Sequence, residues 1–102
     1  MTQLQTDLKA LYKLLRAKSR WTKGDDARNK TGLHVTALSK HATCWCLLGG
    51  MTKVANNNWP RNFSMRDAIR DQIRSGDDIQ TYNDNPRRTH PQILKLIKNA
   101  TL

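Results

Sequence analysis

Glutamate is missing altogether from this 102-residue chain, whose eight Asp face eighteen Lys and Arg for a formal net charge of +10. Without Glu, a common general acid or base, carboxylate chemistry would fall to Asp alone. Cysteine is limited to Cys44 and Cys46, too near one another in sequence to close an ordinary disulfide. Apolar runs are short. The longest, Cys44 to Leu48, falls far below a bilayer-spanning length. The N-terminus, Met1 to Asp7, has neither the basic start nor the apolar stretch of a signal peptide. Hydrophobic residues make up 37% and the mean hydropathy is −0.75, so the core must be economical. Three Trp, two Tyr and one Phe are expected to supply much of it. The expectation is one soluble basic domain over residues 1–102, cytoplasmic, with reduced thiols and no membrane partner.

What is present in excess is positive charge. A small domain tolerates such self-repulsion when a polyanionic partner offsets it. Nucleic acid, a nucleotide, an acidic protein or an anionic membrane would each qualify, and of these the membrane is not expected.

The hydrophobic pattern predicts a mainly α fold of about four helices, with a small β-hairpin or irregular insertion after the first. Leu4, Leu8, Leu11 and Leu15 mark one face of a helix over residues 3–18, and Thr2 with Gln5 forms a capping box at its start. Lys9, Lys13, Arg16 and Arg20 repeat that spacing one position on, as a basic stripe that is either a solvated face or an anion-binding one. Leu33, Val35 and Ala37 alternate with polar residues, which suggests a short hairpin with Asn29 to Gly32 at its tip. A second helix is expected from Lys40 to Ala55 with Ser39 as its cap, and its Gly49-Gly50 pair suggests close approach of another backbone. A third is expected from Ser64, with Asp67 as capping partner and Gly76 as its stop, carrying Arg66, Arg70 and Arg74 as a second basic stripe. Asp77 to Arg88 reads as a turn-rich connection. Thr89, Pro91 and Gln92 open the last helix.

Motifs that carry chemistry are few. Cys44 and Cys46, with His34 and His41 upstream, invite a zinc reading. On a helix, however, residues two apart point in different directions, and no CxxC or HxxxH spacing occurs. No metal and no cofactor are expected. A nucleophilic Cys46 would need His34 or His41 and Asp84 beside it, and its apolar surroundings would raise its pKa. No phosphate-binding loop or nucleophile elbow is present, and no catalytic residue can be assigned. Two constellations are less bland. Trp21, Lys23 and Arg28 place an aromatic among cations beside Gly24, a mix able to stack a base and hold a phosphate. Asn83, Arg87, Arg88 and His90 gather where a helix N-terminus would attract an anion. The competing reading of both is structural: Trp21 as a core aromatic, Arg28 as a hydrogen-bonder, Asn83 and Asp84 as turn formers.

The run Trp21-Thr22-Lys23-Gly24, Ala27-Arg28, Gly32, Val35, Ala42, Cys46-Leu47-Leu48-Gly49-Gly50 and Ala55 resembles a family of small bacterial and phage proteins of unknown function. Tyr82-Asn83-Asp84 and Thr89 to Leu94 continue the resemblance, which spans roughly residues 14 to 97. Tyr82 stands where that family usually has Trp, and Gly50 where it usually has Ala. The resemblance implies that Trp21, Arg28, Asn83, Asp84 and His90 belong together. It implies no activity or ligand, though small phage proteins of this kind commonly act on host machinery or host defence.

The function expected is therefore that of a non-enzymatic binding protein for a nucleotide or nucleic acid, as in phage counter-defence or host takeover. The ligand residues would be Trp21, Lys23, Arg28, Asn83, Arg87, Arg88 and His90, with Lys9, Lys13, Arg16 and Arg20 as a secondary stripe. An inhibitor that covers a host protein with its basic surface is the alternative, and a small enzyme is a third. A homo-oligomer is compatible with the sequence.

Overall fold

In the computed structural model, which describes all 102 residues, α1 (Gln3–Leu15) lies at the centre, packed against every other long helix. Its capping box forms as expected, with Thr2 Oγ1 accepting from Gln5 N at 3.1 Å and Gln5 Oε1 accepting from Thr2 N at 3.1 Å. The helix ends three residues early. Ala17 is extended, and a short 3-10 turn, Lys18–Arg20, follows.

Three two-residue strands come next: β1 (Ala27–Arg28), β2 (His34–Val35) and β3 (Cys44–Trp45). The β1–β2 hairpin falls where the alternating pattern put it. Ala27 pairs with Val35 on one side and Trp45 on the other, so β1 is the middle strand of an antiparallel sheet. β3 corrects the expected Lys40–Ala55 helix. A short apolar run reads equally as helix or strand, and pairing with Ala27 and Arg28 decides it. Ser39 instead closes a turn, accepting from His41 N, while Cys46 caps α2 (Leu47–Ala55) by accepting from Gly49 N at 3.3 Å.

Of the glycine pair, Gly49 meets another backbone and Gly50 does not. A Cβ on Gly49 would lie 1.9 Å from the Asp26 carbonyl oxygen, whereas one on Gly50 would meet only side chains, the tip of Leu11 at 2.8 Å and Leu15 at 3.5 Å.

Helix α3 (Trp59–Asp71) begins five residues before Ser64. Asn58 is its cap, accepting from Arg61 N, and Pro60 sits in its first turn. It also stops short of Gly76, which turns the following connection at φ +80°. That connection holds an unforeseen helix, α4 (Ile79–Asp84), capped by Asp78 accepting from Thr81 N at 2.7 Å. Six residues are too few to show a helical period. Helix α5 (His90–Thr101) has the expected capping box between Thr89 and Gln92.

The fold is mainly α, with five helices and one small sheet after the first. Its core is aliphatic rather than aromatic: Leu8, Leu11, Leu15, Leu47, Met51, Met65, Ile69, Ile93 and Ile97 are fully buried. Of the six aromatics only Trp45 belongs to it; Trp59 and Phe63 stand half exposed. Beneath α3, Asp7 is buried against Arg61, whose Nε and a terminal nitrogen donate to it at 2.9 and 2.6 Å. Those bonds outweigh the effect of burial and hold the Asp7 carboxyl below its ordinary range.

Candidate functional site

The two constellations, some sixty residues apart in sequence, meet at Asn83. This side chain is fully buried, and its amide is completely satisfied. Oδ1 accepts from Trp21 Nε1 at 2.8 Å and from the backbone N–H of Leu47 at 3.1 Å. Nδ2 donates to the Thr22 carbonyl at 3.1 Å and to Asp84 Oδ1 at 2.9 Å. Two lone pairs and two N–H groups are all an amide has. One residue thus joins the segment after α1, the N-terminus of α2, and α4.

The neighbours are tied down in the same way. Asp84 also accepts from Gly24 N at 3.0 Å and from Gln80. Burial raises the Asp84 carboxyl, but bonds from Asn83, Gly24 and Gln80 and the charge of Lys23 leave it below its ordinary range. Lys23 donates to the Asn85 carbonyl at 2.8 Å and lies over the Trp21 ring. His90 donates through Nε2 to the Leu15 carbonyl at 2.6 Å, which fixes its tautomer and satisfies a terminal carbonyl of α1. Its ring packs against Trp21 with centroids 5.9 Å apart.

Arg28 sits one step outward, donating to the Lys23 carbonyl and to Asp25, each at 2.9 Å, with its buried Nε unpartnered. Its ion-pair partner is Asp25, not Asp84. Arg88 folds back, donating to the Tyr82 carbonyl at 2.9 Å with its guanidinium 3.4 Å from the Tyr82 ring centroid. Arg87 alone of the seven points an unengaged side chain into solvent. The structure therefore assembles Trp21, Lys23, Asn83 and His90 tightly, with Arg28 and Arg88 at the margins. The hollow beside them, about 420 Å³, is lined by Gln80, Thr81, Asp84, Asn85 and Pro86, so a carboxylate rather than a cation faces it.

The basic stripe has a different fate. Because α1 stops at Leu15, it is not one continuous helical face. Lys9 faces a hollow with Tyr12 and Lys98, while Lys13, Arg16 and Arg20 turn toward α2. There Lys53 joins them around a groove of about 500 Å³ whose floor is Ala10, Leu14, Ala17 and Val54. No carboxylate lines it. Across the chain only Arg28, Arg61 and Arg70 of the eighteen Lys and Arg lie within salt-bridge distance of an Asp. Sequence spacing pointed to three of the groove cations. Lys53 was missed, because nothing in a linear pattern places α2 beside the end of α1.

The cysteines do not share a helix, so the spacing argument made against metal does not apply to them. Cys44 is half-buried in β3, and Cys46 is a buried cap whose thiol burial pushes up to about 11. His34 is engaged with Asp25 at 3.3 Å, and His41 is exposed. No helix is long and apolar enough to cross a membrane.

No curated protein and no solved structure matches this chain. A family model covers residues 1–101, nearly the whole sequence and more than the stretch on which the resemblance was seen. The chain belongs to the family of unknown function DUF6197.

Proposed function

We propose that this protein binds a phosphate-bearing ligand, a nucleotide or a nucleic acid, without turning it over, and that the α1–α2 groove is where it does so. The observation that carries this reading is the convergence of Lys13, Arg16, Arg20 and Lys53 on an apolar floor with no carboxylate among them. Like charges gathered without an anion repel one another. The helix dipoles offer partial relief, since Lys13, Arg16 and Lys53 lie near the C-terminal ends of α1 and α2. Arg20, beyond the helix, has no such reason to be there. A ligand with several phosphates supplies the missing negative charge.

The Asn83 cluster supports the reading by contrast. Lys23, Arg28, Arg88 and His90 already have partners there, so an anion would have to displace internal hydrogen bonds. The buried thiol of Cys46, pushed up to about 11, is protonated at neutral pH and is occupied as a helix cap, so it is not the nucleophile of a turnover reaction.

The test is binding of a labelled oligonucleotide and of a nucleoside triphosphate as salt rises from roughly 50 to 200 mM. Affinity should fall steeply and log-linearly. For a single strand, Lys13→Ala/Arg16→Ala/Arg20→Ala should reduce the slope by about 2, since each neutralised phosphate contributes about 0.7. Salt-insensitive binding, or steady product formation from the triphosphate, would refute the proposal.

A further inference from the structure

Apart from terminal Met1 and Leu102 and the hairpin residue Leu33, the large hydrophobic side chains left most open to solvent are Trp59 (50% exposed) and Phe63 (52%). They stand one turn apart at the start of α3, ring centroids 5.9 Å apart and tilted by 33°. The Arg66 guanidinium lies 5.6 Å from the Phe63 ring centroid, steadied by its Nε donating to Asn62 Oδ1 at 2.8 Å. Arg70 follows a turn later, held only by an exposed pair with Asp67. Folding gains only part of what two large rings offer when they are kept half in water, since about half of their area stays exposed.

We infer that Trp59 and Phe63 form a stacking platform for the unpaired bases of a single-stranded nucleic acid. The inference rests on the anion-binding reading of the groove and names its ligand. Proteins that hold single strands combine a basic track for the backbone with aromatic faces for the bases. Both parts are present here, and a short stretch of chain joins them. Val54 lines the groove and Trp59 opens the platform, and the five-residue step between them limits their separation to roughly 17 Å. The link is a tight turn through Asn56 and Asn57, both in the left-handed region at φ 49° and 70°.

Charge and shape choose among partners. In a duplex the bases are already stacked on one another and show the protein only their edges, so a ring platform has nothing to stack on. Arg66 and Arg70 beside the rings put positive charge for a phosphate backbone at the same patch as the aromatic faces. A chain of net charge +10 matches a phosphate backbone.

The experiment compares the full chain with Trp59→Ala/Phe63→Ala, using a labelled oligothymidylate, an abasic deoxyribose-phosphate oligomer of equal length, and a duplex. Both side chains are only half-buried and lie outside the core, so the variant should stay folded with a modestly lower melting temperature, and circular dichroism checks this. Wild type should prefer oligothymidylate to the abasic oligomer. The variant should lose about tenfold or more for oligothymidylate, with its salt slope unchanged and its affinity for the abasic oligomer intact. Equal binding of the oligothymidylate by variant and wild type, no preference over the abasic oligomer, or preference for the duplex would overturn the platform and leave the groove standing. Failure of wild type to bind any of the three at low salt would overturn both and leave an acidic protein as the partner class.

Discussion

Around Asn83 a buried amide uses both lone pairs and both N–H groups on partners from three parts of the chain. In the groove between α1 and α2, Lys13, Arg16, Arg20 and Lys53 line one exposed surface with no carboxylate among them. The two regions contain the same kinds of residue, cations beside an aromatic or apolar surface, yet they treat polarity in opposite ways. A polar group satisfied within the protein contributes to stability and has little left for a ligand. A charge without a carboxylate partner contributes little to the fold and is available to bind. Sorting polar side chains by whether the fold already uses them separates scaffold from proposed site, which residue type alone does not.

The largest effect that comparison implies is on Asn83. Asn83→Ala would strand the Trp21 and Leu47 N–H groups and the Thr22 carbonyl at a buried position. The expected cost is about 3 kcal/mol or more, a fall in melting temperature beyond about 10 °C. A change within a degree or two would mean the amide is not a hub.

Next comes Gly49. Alanine in a helix ordinarily gains about 1 kcal/mol over glycine. At Gly49 its Cβ must displace the Asp26 backbone, whose carbonyl also accepts from Cys46 N at 3.2 Å. Gly49→Ala should therefore destabilise by about 2 kcal/mol or more. Gly50→Ala, which meets only side chains, should lie near neutral. Equal effects at the two positions in a denaturant titration would contradict this.

A smaller effect is set by pH. Asp7 has its folded pKa lowered, chiefly by its bonds from Arg61, so its contribution is complete above the unfolded value near 3.8. It is lost as pH falls below that value through the folded one. Asp78 and Asp84 are lowered too and act in the same direction. Asp7→Asn should be less stable than wild type at neutral pH, and the gap should narrow in melts taken below about pH 4. A gap that stays constant with pH would show that ionisation of Asp7 is not what matters.

Legibility followed the physics of each element. Helices α1 and α5 were readable end to end or nearly so, because Leu4 to Leu15 and Ile93 to Ile97 hold one period and Thr2 and Thr89 carry full capping boxes. The Cys44–Trp45 strand was not, since a two-residue strand has no period and exists only through its pairing with Ala27 and Arg28. The same holds for α4, made by the Asp78 cap and the buried pair Ile79 and Asn83. The convergence of Trp21 with Asn83 and His90 was legible from family resemblance. Whether those groups bind a ligand or each other was not, because that depends on which backbone carbonyls and N–H groups lie within reach. Lys53 and the exposed Trp59–Phe63 pair emerge only when α2 and α3 take their places.

The direct test of this division is thermal melting with and without a single-stranded oligonucleotide. Free Lys13→Ala/Arg16→Ala/Arg20→Ala should melt close to wild type, since small losses of helix-dipole stabilisation are offset by relief of repulsion. Ligand should raise the melting temperature of wild type and leave that of the variant unchanged. A variant that keeps the full ligand-induced shift, or that loses stability on the scale of Asn83→Ala, would place the groove in the scaffold and the binding elsewhere.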